Sequence, residues 1–299
     1  LLLFMLILVG CSSLTMGQNI ALTGLPYRTS SQDFRPLRDQ VDPQLEAALR
    51  KRINENPHWK KLVAEKRMAV GLVDLNDPTR ARFARINGNV MMYAASLPKI
   101  AVLLASMDAL DKGELEESRE IMNDLRIMIS RSDNQASTRM IDRLGYDKIE
   151  SVLTDPKYEL YDEDYGGGLW VGKRYASSGA RHPDPLLGLS HAATASQVAR
   201  FYYMLLNGRL VNYERSKQML NIMVDSELHH KFINTLRRLH PEARLFRKSG
   251  SWHNYHSDSV LVWDANDRYI LVGLLEDPAG ENILRQLVDA VEEVLESQL

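Results

Sequence analysis

The chain has 299 residues, 44% of them hydrophobic, enough for one large domain or two interleaved ones around a sizeable core. With 39 acidic against 37 basic residues the formal net charge is -2 and no long basic run occurs, which argues against a nucleic-acid partner. A single cysteine excludes an intrachain disulfide.

Leu1 to Gly10 form an almost wholly apolar run that ends at Cys11. The run is too short for a stable membrane-spanning helix and fits the apolar region of a secretory signal, clipped at its start because Met and basic residues are missing. Leu8-Val9-Gly10-Cys11 is similar to the lipobox of bacterial lipoproteins. That similarity implies lipidation of Cys11 and a periplasm-facing cell-envelope lipoprotein, with the absence of Asp after the Cys favouring the outer membrane. The competing reading is a buried strand that ends in an incidental cysteine. Residues 11–40 contain Gly17, Gly24, Pro26 and Pro36 without a sustained hydrophobic period, and are expected to be a lipidated Cys and its tether.

From Asp42 to about Lys66, Leu45, Leu49, Ile53, Leu62 and Val63 recur at helical spacing, with Asp42 as N-cap, Pro43 in the first turn and a break at Pro57. Met68 to Leu75 and Ala81 to Ile86 read as a hairpin about Asn76-Asp77-Pro78. Ser259 to Trp263 and Tyr269 to Leu275 repeat the strand-turn-strand pattern, and Glu281 to Leu299 has the period of a closing helix. Ser96 to about His240 reads as mostly helical. The expected fold is α+β: an antiparallel sheet flanked by terminal helices, formed by residues 41–95 and 241–299, around an inserted all-α domain at 96–240. A site would fall at the join between the two.

Three short motifs stand in an order that suits serine acyl transfer: Ser96-Leu97-Pro98-Lys99, Ser132-Asp133-Asn134 and Lys248-Ser249-Gly250-Ser251. Ser96 stands where a buried helical face begins, so its N–H is among the unpaired donors of a helix start while its hydroxyl attacks. Lys99, three residues on, lies on the same face and is the expected general base. Ser132 is the expected proton relay to the leaving group. Asn134 is an amide to hold substrate and Lys99, and Asp133 braces the loop. Lys248 and Ser249 open a strand in which Gly250 lets the backbone approach a ligand and Ser251 N–H supplies a second oxyanion donor. Two ammonium groups in one partly dry cleft disfavour each other's charge, so one lysine can be neutral near pH 7. Each motif alone also suits a simple cap, turn or edge strand.

These motifs, with Tyr93-Ala94-Ala95 before the nucleophile and Leu144-Gly145 after the second motif, resemble class A β-lactamases and their relatives among the penicillin-binding proteins over residues 42 to 299. The resemblance implies a serine hydrolase acylated by β-lactams or by D-Ala-D-Ala-like stem peptides, and above all β-lactam hydrolysis. A DD-peptidase of peptidoglycan and a slow-turnover penicillin-binding sensor of the envelope are the alternatives. It implies catalytic roles for Ser96, Lys99, Ser132 and Lys248, substrate binding by Asn134, Ser249, Gly250 and Ser251, and no cofactor or metal.

Two departures stand out. The stretch between Ser96 and Ser132 is short for class A, so a more open cleft is expected. The family's deacylating glutamate, in its Glu-x-x-Leu-Asn-like context, has no match in residues 158–191, where Glu159, Asp162, Glu163, Asp164, His182 and Asp184 are the available groups. Gly166 to Lys173 reads as a glycine hinge with a core Trp170, and Trp252, His253, Tyr255 and His256 as a groove rim or a hairpin surface. His229-His230 lacks the spacing of a metal pair.

Overall fold

The computed structural model describes residues 24–77 and 80–298. The apolar run and Cys11, with the lipidation expected there, lie outside the described residues. Pro57 splits the first helical stretch into α1 (Pro43–Asn54) and α2 (Pro57–Ala64). Each starts with a proline and a side-chain cap: Asp42 accepts from the N–H groups of Gln44 and Leu45, and Asn56 from those of His58 and Trp59. The hairpin β1 (Met68–Asp74) and β2 (Arg82–Ile86) follows, then β3 (Met92–Tyr93). Four helices come next: α3 (Lys99–Asp111), α4 (Arg119–Ser130), α5 (Asn134–Leu144) and α6 (Tyr146–Leu153). The short strands β4 (Tyr161–Asp162), β5 (Gly167–Gly168), β6 (Trp170–Val171) and β7 (His191–Ala193) precede α7 (Ala195–Leu206), α8 (Tyr213–Met223) and α9 (Phe232–Leu239). The chain closes with β8 (Arg244–Trp252), β9 (Tyr255–Trp263), β10 (Arg268–Glu276) and α10 (Gly280–Glu296).

The main sheet has five strands in the order β2-β1-β10-β9-β8, all antiparallel. Side chains alternate between two cores, as a two-residue pleat requires. Along β10, Ile270, Val272 and Leu274 face one core, and Tyr269, Leu271 and Leu275 the other. The second core is closed by α1, α2, α9 and α10; the first is filled by α7 and the helical insert. Burial on both faces explains why these strands read as unbroken apolar runs. The apolar sequence of α3 is likewise buried on every side from Lys99 to Leu110, so the insert is built around this helix.

Two expectations need correction. Residues 24–40 do not hang free as a tether: Leu25 and Leu37 are buried, Tyr27 N–H donates to Leu206 C=O at 2.7 Å, and the Tyr27 ring stands 5.7 Å from Trp263. Single apolar residues placed irregularly carry no period, so this packing leaves no sequence signature. The segment 96–240 is not all-α, since β7 pairs with β3 and β6, and β4 pairs with β5. Strands of two or three residues are too short to alternate detectably.

Candidate active site

Ser96 lies in the turn that enters α3, where Pro98 takes the cap position. Ala95 adopts the left-handed region (φ 51°), which costs on the order of 1–3 kcal/mol for a side-chain-bearing residue and must be held by its surroundings. It is held from three directions. Ala94 N–H donates to His191 C=O at 2.9 Å, Ser257 Oγ donates to Ala94 C=O at 2.8 Å, and Tyr175 Oη donates to Ala95 C=O at 3.3 Å. Gly250 presses β8 against this same turn: a Cβ there would lie 2.4 Å from Ala94 O and 2.5 Å from Ser96 N. The absence of a side chain at Gly250 therefore lets β8 pack against the turn that carries Ser96.

Because α3 is buried all round, the lysine in its first turn is desolvated. Burial lowers the Lys99 ammonium to about 7, against the attraction of Asp133. Lys99 Nζ donates to Ser132 C=O at 2.6 Å and to Asn134 Oδ1 at 2.8 Å, and reaches Ser132 Oγ at 3.3 Å. Among the described residues no hydrogen bond joins it to Ser96 Oγ. Ser132 is itself left-handed (φ 57°), while Asp133 caps α5 by accepting from Ala136 N–H. That loop geometry sets Ser132 Oγ between the two lysines, with Lys248 Nζ at 2.9 Å. Burial first, then the charges of Lys99, Arg247 and Lys231, holds Lys248 well below the usual lysine range.

Arg247 and Lys231 were not legible as site residues. Both are fully buried, and Arg247 is paired with Asp258 at 2.8 Å. Lys231 Nζ donates to Gly250 C=O at 2.5 Å and Ser257 C=O at 3.0 Å, with burial lowering it to about 8. Ser257 Oγ also reaches Gly250 C=O, at 3.4 Å, so this carbonyl is drawn to the β9 side. Carbonyl and amide of one trans peptide point opposite ways, so the Ser251 N–H faces away from β9, toward the edge against which Ser96 sits. Only its position in the fold gives Lys231 this role.

A cavity of about 820 Å³ opens over Ser96. Asn134, Ser251, Trp252 and Tyr255 line it, together with Tyr93, Tyr175 and His191. Lys248, Ser249 and Gly250 adjoin the lining residue Ser251 along β8, and His253 and His256 do not line the cavity. Tyr175 and His191 carry no local sequence signal, because a loop brings them back to the site. The Tyr175 ring covers Lys99 Nζ at 4.4 Å and packs 4.3 Å from His191. His191 Nε2 faces Lys173 C=O at 3.0 Å and so carries the proton, and burial lowers its imidazole to about 4, leaving it neutral.

No aspartate or glutamate lines this cavity among the described residues. Glu159 and Asp162 pair with Arg38 at 3.2 and 2.9 Å, and Glu163 and Asp164 border a separate cavity. Asp184 is buried and accepts from Tyr161 Oη and from the N–H groups of Leu186, Leu187 and Leu189. It organises its loop. His182 stacks on the core Trp170 and bonds Glu150 Oε2 at 2.5 Å. Asp147 gathers beside that pair, with ligand-type atoms within 4.8 Å, but away from Ser96.

Fold and site together define a serine acyl-transfer enzyme: a hydroxyl at a helix start, lysines with depressed pKa beside it, and a serine between them. The family model described as Beta-lactamase enzyme family matches residues 48–124 and 121–295, and the chain belongs to that family of β-lactamase-like serine hydrolases. No curated protein matches it. Among solved structures it is similar to a β-lactamase from Sphaerobacter thermophilus, at 20% identity and TM-score 0.60 over 76% of this chain and 90% of that one. A β-lactamase from Chitinophaga pinensis aligns at 15% identity and TM-score 0.64 over 83% and 99% of the two chains. A mutant of PBP-A in its acyl-enzyme complex with penicillin G aligns at 17% identity and TM-score 0.65 over 88% and 100%. At these identities the likeness is one of fold.

Proposed function

We propose that this protein is a serine hydrolase acylated at Ser96 by β-lactams, whose ring it opens, and that it releases the product slowly. One observation carries the reading: Lys99 Nζ, Ser132 Oγ and Lys248 Nζ form a hydrogen-bonded chain, at 3.3 and 2.9 Å, beside a serine that lines an open cavity. In acylation Ser96 Oγ bonds to the lactam carbonyl carbon as the C–N bond breaks. The hydroxyl proton passes to neutral Lys99 and through Ser132 to the departing nitrogen. The Ser96 and Ser251 N–H groups receive the oxyanion, Asn134 holds the acyl side, and Lys248 with Ser249 anchors the substrate carboxylate. Deacylation needs an activated water, and among the described residues the cavity offers no carboxylate to activate it.

A chromogenic cephalosporin tests this. A burst of about one equivalent of product followed by slow turnover is expected; rapid, steady hydrolysis without a burst would contradict it. A DD-peptidase acting on peptidoglycan stem peptides is the second reading, favoured by the same lack of a carboxylate. Release of D-Ala from a stem pentapeptide faster than turnover of the cephalosporin would select it.

For localisation we propose an outer-membrane lipid anchor on Cys11, supported by Leu8-Val9-Gly10-Cys11. Cys11→Ser, expressed in a bacterium from the full-length gene, should yield no lipid-modified mature form by mass. The same mature mass with and without the cysteine would refute the anchor.

A further inference from the structure

The loop that brings Tyr175 over Lys99 is closed at its base by an isolated antiparallel bridge between Lys173 and Arg181. Residues directly opposite across such a bridge project to the same side, and like charges there repel. Both cations line the Ser96 cavity. A third cation in its wall, Arg174, is neutralised by Asp142 at 2.6 Å. Lys173 and Arg181 have no such partner: among the described residues no ion pair is made by either, and Arg181 donates only to Gly188 C=O at 3.3 Å. A chain of net charge -2 thus sets two uncompensated cations side by side in a cavity that, among the described residues, no carboxylate lines.

We propose that Lys173 and Arg181 form a second anion subsite in the wall of the Ser96 cavity, which selects acyl donors carrying an additional carboxylate on the acyl side. The proposal rests on the acylation reading for its substrate. With the leaving-group carboxylate anchored at Lys248, a second carboxylate belongs to the opposite, acyl part of the molecule. The class selected is therefore dianionic: a β-lactam with an acidic side chain, or a stem peptide with a free side-chain carboxylate. Arg181 is exposed and Lys173 half-buried, so the attraction is solvent-screened and falls with salt.

Three penicillins that differ at one carbon provide the test: carbenicillin bears a carboxylate there, benzylpenicillin a hydrogen and ampicillin an ammonium group. Second-order acylation rate constants should follow that order, with carbenicillin about fivefold ahead of benzylpenicillin, as two exposed cations allow. The carbenicillin-to-benzylpenicillin ratio should fall toward one in Lys173→Ala/Arg181→Ala, and in the wild-type protein as salt is raised. Charge reversal with Lys173→Glu should move the preference toward ampicillin. Equal rates for all three in the wild type at low salt would overturn the subsite and leave the acylation reading intact. Absence of an adduct with any of them would overturn the acylation reading instead. Quenching of tryptophan fluorescence would then decide the subsite: phenylmalonate binding about fivefold tighter than phenylacetate supports it, and equal binding overturns it.

Discussion

In the proposed acylation Lys99 is the residue on which the chemistry turns, because burial lowers its ammonium to about 7. A folded-state value of about 7 means that its neutral fraction falls as pH falls below 7. The acylation rate constant should therefore drop about tenfold per pH unit on the acid side, measured by stopped-flow between pH 5 and 8. Lys99→Arg should lose at least about a hundredfold, because guanidinium cannot give up its proton. Retention of most of the activity would send the Ser96 proton elsewhere. The same shift has a stability consequence. The unfolded lysine binds its proton at higher pH than the folded one, so this residue adds stability as pH rises from about 7 toward the unfolded lysine range, near 10.4. Ser96, Lys99, Ser132 and Lys248 could be singled out because short motifs keep their spacing in sequence. Tyr175, His191 and Lys231 could not, since each reaches the site through a loop whose path is set by packing far from it, and Arg247 could not because its partner Asp258 lies on the neighbouring strand.

At the scale of elements, the site depends on how closely β8 can approach the turn before α3. Gly250→Ala would put a Cβ within 2.8 Å of three backbone atoms of that turn, Ala94 O, Ser96 N and Leu97 N, none of which can yield without moving Ser96. Thermal unfolding should show a loss of about 1–3 kcal/mol. Acylation should fall more than stability, by at least tenfold at a temperature where the variant remains folded. A variant that acylates at the wild-type rate would show that β8 can shift without cost. The two long hairpins and the broken first helix were readable because apolar runs, prolines and Asp42 act locally. The small sheet formed by β3, β6 and β7 was not. Its strands have two or three residues each, and Met92 pairs with Ala193 about a hundred positions away, which leaves no local pattern.

Across the whole molecule, a sheet buried on both faces carries its edge strand to the end of a fully buried helix. The join collects Lys99, Lys248, Arg247 and Lys231 around a single buried carboxylate, Asp258, with Asp133 at the loop. Such a cluster lowers the lysines' affinity for protons and favours the negative charge that forms on an attacked carbonyl. Among the described residues, no carboxylate lines the cavity beside it. The expected fold followed from the order of apolar runs, whereas this concentration of charge follows from the way the two halves meet. The account is tested most directly by the intact mass of the protein followed over time after mixing with benzylpenicillin. It predicts a gain equal to one whole penicillin, located on the peptide that contains Ser96, absent from Ser96→Ala and persisting after free penicillin is removed. An adduct that forms equally on Ser96→Ala, or one that is lost as fast as it forms, would contradict it.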